Sequence, residues 1–238
     1  MKEIIIAIPT GRMEEKVYNA FASAGLVSEE YEEEFEKIRA GKDSRRYAFE
    51  GEGVVYVRAK PADVPFCVDS ANADMTICGN DCKLRYELSN ATMTGSLAGA
   101  AYTSAAMDSR YDFPKTRFCV IGEKDSQPIY AEMLQDDKAI IVATEYPEIA
   151  MNYLCKRYPQ AYFDFRKFNG KTENAVKFWG ADVVFDIVET GRTLKENGLE
   201  IFEEAMPNPT KILASNASLR IDDRVQSVFE TLSGGQML

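Results

Sequence analysis

The sequence contains no histidine. This absence excludes histidine-ligated metal sites. It also excludes mechanisms in which an imidazole serves as general acid, as general base or as the activator of a serine or cysteine nucleophile. An enzyme made from this chain must therefore work through positioned charges, carboxylates or lysine side chains.

Basic charge and long apolar runs are also lacking. The formal net charge is −10, and nucleic-acid binding is not expected as a main role because it needs a basic footprint. No stretch approaches the roughly 18 consecutive apolar residues of a membrane-spanning helix. The apolar run Ile4–Ile8 is too short for the core of a signal peptide. We therefore expect a cytoplasmic protein without a membrane segment.

The cysteines indicate the same compartment. There are five of them, with no C-x-x-C pair, which is typical of a reducing environment. Cys78 and Cys82 could lie one helical turn apart, but no histidine or further close cysteine completes the ligand set of a structural zinc site. The sequence therefore assigns no metal ligands.

Candidate strands alternate with candidate helices, a pattern that is typical of α/β proteins. A chain of 238 residues can form one large domain or two small ones, and we expect two α/β lobes with a site in the cleft between them. The predicted strands are Lys2–Ile8, Val54–Arg58, Asp74–Cys78, Arg117–Gly122, Lys138–Ala143, Ala161–Phe168 and Asp182–Val188, and the predicted helices are Arg12–Ala24, Pro61–Ala71, Pro147–Arg157 and Glu173–Trp179.

Other segments are less regular. The acidic segment Glu29–Lys37 is predicted to be a solvated helix or loop. The segment Ser89–Met107, which is rich in small residues, is predicted to include a mobile loop. The segments Leu199–Ala205 and Thr210–Ser215 flank Pro207–Pro209, which predicts a hairpin-like turn and hence an antiparallel element.

The most informative segment consists of a buried strand, a polar turn and a capped helix start. Val183–Val188 is a nearly continuous apolar run, as expected for a strand covered on both faces. The polar turn Glu189–Thr193 follows it. Thr193 and Glu196 form an S/T-x-x-E capping box, which predicts a helix that begins after Thr193. Gly198 suits a left-handed residue that ends this helix.

This geometry is suited to a phosphate group. Unpaired N–H groups at a turn and helix start attract anions, Gly191 allows close approach, and Thr190 and Thr193 add hydroxyl donors. Asp186 and Glu189 can accept hydrogen bonds from ribose hydroxyls, so the segment indicates a ribose 5-phosphate site. The local pattern alone also fits an ordinary strand-turn-helix of an α/β protein.

The segment Asp186–Leu194, followed by Asn197–Leu199, closely resembles the phosphoribosyl-pyrophosphate loop of the ATP phosphoribosyltransferase family, which catalyses the first step of histidine biosynthesis. The resemblance extends over most of the chain, in further blocks that occur in the family's order. These blocks are Ile6–Arg12, Asp63–Pro65, Ala73–Asp74, Cys78–Asp81, Asp112–Arg117, Ala143–Pro147 and Asn169–Glu173.

For the architecture, the resemblance implies the two-lobed fold of type II periplasmic binding proteins, with the active site in the inter-lobe cleft. Lobe I would contain residues 1–108 and 218–238, and lobe II residues 109–217 with the phosphoribosyl-pyrophosphate loop. The length implies the short form of the family, without a C-terminal regulatory domain. The short form implies a homo-oligomer and a separate regulatory subunit that resembles a histidyl-tRNA synthetase.

For the chemistry, the resemblance implies that ATP and phosphoribosyl pyrophosphate give N1-phosphoribosyl-ATP and pyrophosphate, with Mg²⁺ bound to the substrate phosphates. Asp186, Glu189 and Arg12 are the candidate catalytic residues. Arg12 follows the first strand, at the edge of the sheet where α/β proteins bind ligands. The candidate substrate-binding residues are Thr190, Gly191, Arg192, Thr193, Asp112, Glu173, Lys60 and Arg117.

Departures from the family's pattern leave the nucleophile open. Thr10 stands where the family has lysine, and the family's Gly-Ser-Val-Glu is here Gly170–Glu173, with lysine and threonine in the middle. A basic residue expected near Asn216 is absent, and Lys171 is a candidate replacement for the lost cations. The alternatives are a diverged phosphoribosyltransferase acting on another nitrogen heterocycle and a non-catalytic sensor of a phosphorylated ligand.

Overall fold

Two separate β-sheets organise the chain, and each is the centre of an α/β unit. Unit 1 consists of Met1–Phe113 and Pro209–Leu238, and unit 2 of Pro114–Asn208. The expected organisation as two α/β lobes is therefore confirmed. The computed structural model describes residues 3–26, 29–40, 46–51, 53–94 and 99–235.

The helices and strands alternate for most of the chain, as the periodicity predicts. Among the helices within the described ranges, none combines the length and the apolar character that crossing a membrane requires. In chain order the elements are β1 (Ile4–Pro9), α1 (Glu14–Ser23), α2 (Glu29–Arg39), β2 (Ala48–Gly51), β3 (Val54–Ala59), α3 (Val64–Asp69), β4 (Met75–Gly79), α4 (Asn80–Thr94), β5 (Tyr102–Ala106), β6 (Thr116–Glu123), α5 (Gln127–Met133), β7 (Ile140–Thr144), α6 (Pro147–Arg157), β8 (Phe163–Lys167), α7 (Asn174–Phe178), β9 (Val183–Val188), α8 (Arg192–Glu196), β10 (Leu199–Asn208), β11 (Thr210–Ser215), α9 (Asn216–Ile221) and α10 (Asp223–Ser233).

The six-stranded sheet of unit 1 has the order β2-β3-β1-β4-β11-β5. Strands β3, β1 and β4 are parallel, whereas β11 is antiparallel to both of its neighbours. The central strands are buried on both faces: Ile6 and Ile8 belong to one core cluster, and Ala7 between them belongs to another. This double burial explains why the first strand is a continuous apolar run rather than an alternating one.

The five-stranded sheet of unit 2 repeats the order β3-β1-β4-β11-β5 and has no counterpart of β2, which is antiparallel to β3. Strands β8, β7 and β9 are parallel, β6 is antiparallel to β9, and β10 is antiparallel to β6. The strand that pairs antiparallel to β4 in unit 1, or to its counterpart β9 in unit 2, is the first strand after the chain enters the unit from the other unit. That strand is β11 in unit 1 and β6 in unit 2.

An aspartate supports the corresponding position of each sheet. Asp74, which precedes β4, accepts a hydrogen bond of 2.7 Å from the main-chain N–H of Ile5. Asp182, which precedes β9, accepts one of 2.8 Å from the N–H of Ile141. Ile5 and Ile141 are the second residues of β1 and β7, so the two units share a local contact as well as a strand order.

The parallel strands bring the candidate residues to one edge of each sheet, as expected from the carboxyl ends of strands in α/β proteins. In unit 1, Pro9 at the end of β1 lies opposite Ala59 at the end of β3, and Arg12 and Lys60 follow these strands. In unit 2, β7 and β9 are parallel neighbours, and Glu145 and Glu189 follow their ends.

The lobe boundaries differ from the predicted ones. Residues 109–113 and 209–217, predicted to lie in lobe II, belong to unit 1. Strand β11 pairs with β4 and β5 of unit 1, and Tyr111 and Phe113 pack against the core of unit 1. The boundary is therefore set by strand pairing and by apolar packing that the local sequence does not reveal.

The predicted hairpin is wrong. Across residues 199–215, all of which the structure describes, β10 and β11 belong to different sheets, and Pro207–Pro209 carries the chain from unit 2 to unit 1. The expected antiparallel element exists, however, because β10 pairs with β6 and β11 with β4 and β5.

Two other segments also differ from their predictions. The acidic segment forms the helix α2, and it is not wholly solvated, because Tyr31 and Phe35 are buried in the core of unit 1. In the segment 89–107, residues 89–94 belong to α4 and residues 102–106 to β5. Residues 95–98 of the segment predicted to include a mobile loop lie outside the described residues, as does Lys2 at the start of the first predicted strand.

Candidate phosphoribosyl-phosphate site

The turn Glu189–Thr193 connects β9 to α8 in unit 2. Gly191 has φ +72°, a left-handed conformation that glycine adopts without strain. Helix α8 begins directly after this glycine, at Arg192, and within this fully described stretch no side chain caps it. The predicted capping box at Thr193 is therefore wrong, because the left-handed glycine directs the chain into the helix two residues earlier. Gly198, with φ +71°, follows the end of the helix as predicted.

The polar groups of this turn are accessible. Thr190, Arg192 and Thr193 are exposed, and the Thr190 hydroxyl accepts a long hydrogen bond of 3.4 Å from the N–H of Arg192. The first N–H groups of any helix lack partners within the helix. The turn therefore offers main-chain N–H groups and two hydroxyls in one short stretch, as the sequence predicts for a phosphate site.

Arg117 supports this turn from β6. Its Nε donates to Glu204 Oε1 at 2.7 Å, and its Nη1 donates to the carbonyl oxygen of Glu189 at 3.1 Å. Arg117 lies opposite Val188 in the β6–β9 pairing, so it reaches the end of β9. The prediction that Arg117 binds an anion is not tested, but its two contacts hold the main chain of the turn.

Asp186 is the most constrained of the candidate carboxylates. The Thr172 hydroxyl donates a hydrogen bond to Oδ2, and the N–H of Ile187 donates to Oδ1 at 2.7 Å. Thr172 itself is only 2% exposed. Each oxygen of the carboxylate is therefore held by one donor, which fixes the orientation of the group.

The surroundings of Asp186 disfavour its charge. Burial is the largest influence and raises the pKa of the Asp186 carboxyl, and the two hydrogen bonds lower it in part. The negative charges of Glu145 and Glu173 raise the pKa further. A carboxylate held in this way gains from a ligand that brings positive charge or hydroxyl donors to it.

The candidates of unit 1 lie at the corresponding edge of their own sheet but are held differently. Arg12 and Lys60 are exposed, and Gly11, with φ +92°, forms the turn before Arg12. Asp112 is fully exposed, and its Oδ2 lies 3.1 Å from Lys16 Nζ. The structure therefore brings Asp186, Arg117 and the Glu189–Thr193 turn together within unit 2, and Arg12, Lys60 and Asp112 lie in unit 1.

Sequence reasoning misses four contributors: Thr172, Glu145, Glu204 and Lys16. Glu145 and Thr172 lie inside segments that resemble the family, but nothing in their local pattern links them to Asp186. Glu204 is 87 positions from Arg117 along the chain. Only the antiparallel pairing of β10 with β6 makes the contact foreseeable, and that pairing was not predicted.

Comparisons with known proteins agree on one family. The sequence model of the family described as ATP phosphoribosyltransferase matches residues 60–234. ATP phosphoribosyltransferase from Lachnospira eligens is 31% identical over 226 residues, which cover 93% of this chain and 91% of that protein. ATP phosphoribosyltransferase from Aquifex aeolicus is 31% identical over 218 residues, which cover 92% of this chain and 87% of that protein.

A solved structure agrees with the sequence comparisons. It is an ATP phosphoribosyl transferase (HisG:HisZ) complex from Thermotoga maritima, and one of its chains superposes with a TM-score of 0.71 at 27% identity. The superposition covers 98% of this chain and 97% of that chain. The whole fold, rather than one unit of it, is therefore shared.

Proposed function

The chain belongs to the ATP phosphoribosyltransferase family, and we propose that its Glu189–Thr193 turn holds the 5-phosphate of phosphoribosyl pyrophosphate during the family's reaction. That reaction joins ATP and phosphoribosyl pyrophosphate to give N1-phosphoribosyl-ATP and pyrophosphate, in the first step of histidine biosynthesis. The observation that carries the proposal is the turn itself, with left-handed Gly191, exposed threonines and main-chain support from Arg117.

The bond changes suit a chain without histidine. The bond between ribose C1 and the pyrophosphate oxygen breaks, and its electron pair leaves with pyrophosphate. A bond forms between C1 and N1 of adenine, which supplies its own lone pair. No proton has to leave the nucleophile before it attacks, so no imidazole base is needed.

The carboxylates of unit 2 have a role in this step. Positive charge develops on the ribose as the pyrophosphate leaves, and fixed negative groups beside it stabilise that charge. Asp186, with both oxygens held, and Glu189 are proposed to face the ribose and its hydroxyls. Glu173, close enough to Asp186 to raise its pKa, is proposed to contact the ribose or the base.

The cations and the metal have separate roles. Arg12 and Lys60 are proposed to bind the triphosphate or the pyrophosphate, and Asp112 the base or ribose. Mg²⁺ is proposed to bind the substrate phosphates and to neutralise the leaving group. Within the described ranges, no three carboxylates or cysteines are grouped so as to hold a metal by themselves.

Assembly and location complete the proposal. The similar Thermotoga maritima structure is a HisG:HisZ complex, which supports a second, regulatory subunit for this chain, and we propose a homo-oligomer within that assembly. We also propose a cytoplasmic location, because both substrates are phosphorylated metabolites. The location of the active site between the two units stays a prediction.

A magnesium-dependent pyrophosphate-release assay tests the function. The chain is supplied with phosphoribosyl pyrophosphate and, in turn, with ATP, other nucleotides and free nitrogen heterocycles, with and without a regulatory subunit. We expect pyrophosphate to be released with ATP and with none of the other nucleotides or heterocycles. Release only with another heterocycle would favour the diverged transferase, and binding of phosphoribosyl pyrophosphate without release in any combination would favour the sensor.

A further inference from the structure

The contact between Thr172 and Asp186 is not explained by packing alone. Thr172 lies between β8 and α7, two residues before the helix begins. Its hydroxyl donates to Asp186 on β9, 14 positions further along the chain.

The main chain around Thr172 is well fixed. Gly170 has φ +93° and Lys171 has φ +51°, so two successive residues turn the chain in the left-handed region. The N–H of Asn174 donates to Lys171 O at 3.1 Å, and the N–H of Ala175 donates to Thr172 O at 2.9 Å. The hydroxyl of Thr172 is therefore presented from a rigid turn.

Some of the groups that face Asp186 oppose its ionisation, and the Thr172 hydroxyl is one of those that favour it. Glu145 after β7 and Glu173 beside α7 are like charges that oppose ionisation of Asp186. On β6, Cys119 is the residue opposite Asp186, and burial raises the pKa of its thiol to about 11, so it is neutral at the pH of an assay. The Thr172 hydroxyl and the Ile187 N–H are the donors that favour the ionised carboxylate.

We infer that Thr172 is a positioning residue, which holds the Asp186 carboxylate in one orientation and keeps it ionised for its contact with the ribose. The inference rests on the proposed function for the role of Asp186. The contact itself and its effect on ionisation rest on the structure alone.

Two variants and a control test the inference in enzyme turnover. Thr172→Val keeps the shape and removes the donor, and it should lower kcat by about tenfold or more, as expected for the loss of a hydrogen bond to a charged group. The KM for ATP should change little, and the acid limb of the kcat profile should move to higher pH. Thr172→Ser should restore both. Thr76→Val, a matched control, removes another buried hydroxyl, which donates to Ala7 O at 2.7 Å in unit 1, and should change neither.

The combination of variants separates positioning from a general structural role. In the Asp186→Asn background, Thr172→Val should have little additional effect on kcat, because the two residues act as one unit. An equal loss in both backgrounds, or an acid limb that does not move, would overturn the inference.

A second readout does not depend on catalysis. With aspartate labelled by ¹³C at the carboxyl carbon, the Asp186 signal is identified by its absence in Asp186→Asn, and its titration is followed by NMR. The titration should move to higher pH in Thr172→Val and return in Thr172→Ser. If the unmodified chain releases no pyrophosphate, the proposed function fails, while this titration still decides the role of Thr172. An unchanged titration in Thr172→Val would overturn that role.

Discussion

Units 1 and 2 share one strand order and the same aspartate contact, yet they hold their candidate site residues in different ways. In unit 2, Asp186 and the Glu189 main chain are fixed by Thr172, Ile187 and Arg117. In unit 1, the Arg12 and Lys60 side chains are exposed and make no hydrogen bond or ion pair with the described part of the chain. The strand order therefore determines which residues lie at this edge of the sheet. Side-chain hydrogen bonds determine whether those residues are held in place before a ligand binds.

This difference suggests a division of labour, in which unit 2 holds the part of the site that is ordered in advance and unit 1 supplies exposed cations. A site that is ordered in advance loses less conformational entropy on binding and keeps its charges aligned for the reaction. Exposed long cations suit a flexible polyphosphate, but they become ordered only in the complex. The comparison predicts that substitutions in unit 2 affect affinity and turnover strongly, whereas those in unit 1 have smaller effects.

The largest effect is expected for the double variant Thr190→Ala/Thr193→Ala. Each hydroxyl is proposed to donate to the 5-phosphate, so the affinity for phosphoribosyl pyrophosphate should fall roughly a hundredfold to ten-thousandfold. Calorimetric titration measures this affinity. Since Thr193 does not cap α8 and the Thr190 hydroxyl accepts only a long hydrogen bond of 3.4 Å from the N–H of Arg192, the melting temperature should change little. An unchanged affinity would remove the phosphate site from this turn.

The next effect concerns the support of the turn. Arg117→Ala removes the donor to Glu189 O and should raise the KM for phosphoribosyl pyrophosphate about tenfold, in line with loss of a charge-assisted hydrogen bond. Glu204→Gln, which weakens the ion pair that orients Arg117, should change the KM in the same direction but less. Glu200→Gln is the matched control, because this glutamate of β10 accepts from the N–H of Asp125 instead.

The Glu204 variant distinguishes two roles of Arg117. If Arg117 bound the anion directly, releasing it from Glu204 would strengthen substrate binding or leave it unchanged. A lower KM in Glu204→Gln would therefore replace the supporting role with the anion contact first predicted from the sequence.

The sequence is sufficient to predict those parts of the site that are contiguous. Strand β9, the turn at Gly191 and the end of α8 at Gly198 all follow from apolar runs and glycine positions, which act over a few residues. The start of α8 does not, because the capping-box pattern at Thr193 and Glu196 competes with the left-handed glycine, and the glycine determines the structure.

The parts that could not be predicted depend on pairing between distant strands. Pro207–Pro209 has the composition of a turn, but the strands on either side of it find partners in different sheets. The Arg117–Glu204 ion pair depends on the β6–β10 register, which includes two irregularities. Local sequence carries no information about either, because a register is chosen by the burial of whole strand faces.

A smaller effect is expected in unit 1. Arg12→Ala or Lys60→Ala should each weaken ATP binding roughly threefold to tenfold, the range of a single solvent-exposed hydrogen-bonding contact, with no change in the unfolding midpoint. Arg220→Ala is the control. Arg220 is an exposed arginine on α9, which follows β11 at the edge of the sheet opposite the one that Arg12 and Lys60 follow. A hundredfold loss in Arg12→Ala would contradict the division of labour, because it would mean that unit 1 is as critical as unit 2.

The smallest effect is on stability. Its pH dependence tests whether the ionised Asp186 carboxylate lowers the free energy of unfolding. The pKa of Asp186 is raised above its ordinary value of 3.8 in the folded chain, chiefly by burial. A raised carboxyl pKa means that the contribution of this group to stability is fully present below about pH 4 and is lost as the pH rises through the folded-state pKa. Asparagine does not ionise, so Asp186→Asn should unfold at higher denaturant concentration than the unmodified chain at pH 7.

The difference between the two proteins should shrink as the pH is lowered and should disappear near pH 4. Urea denaturation without substrates, at one protein concentration and at several pH values, measures it. Asp112→Asn, at a fully exposed carboxylate, should give no such pH-dependent gain. If Asp186→Asn were less stable at pH 7, the hydrogen bonds from Thr172 and Ile187 would outweigh burial and the nearby glutamates. The Asp186 carboxylate would then be a stabilising part of unit 2 rather than a strained group kept for its ligand, and the contrast with unit 1 would be one of packing instead of function.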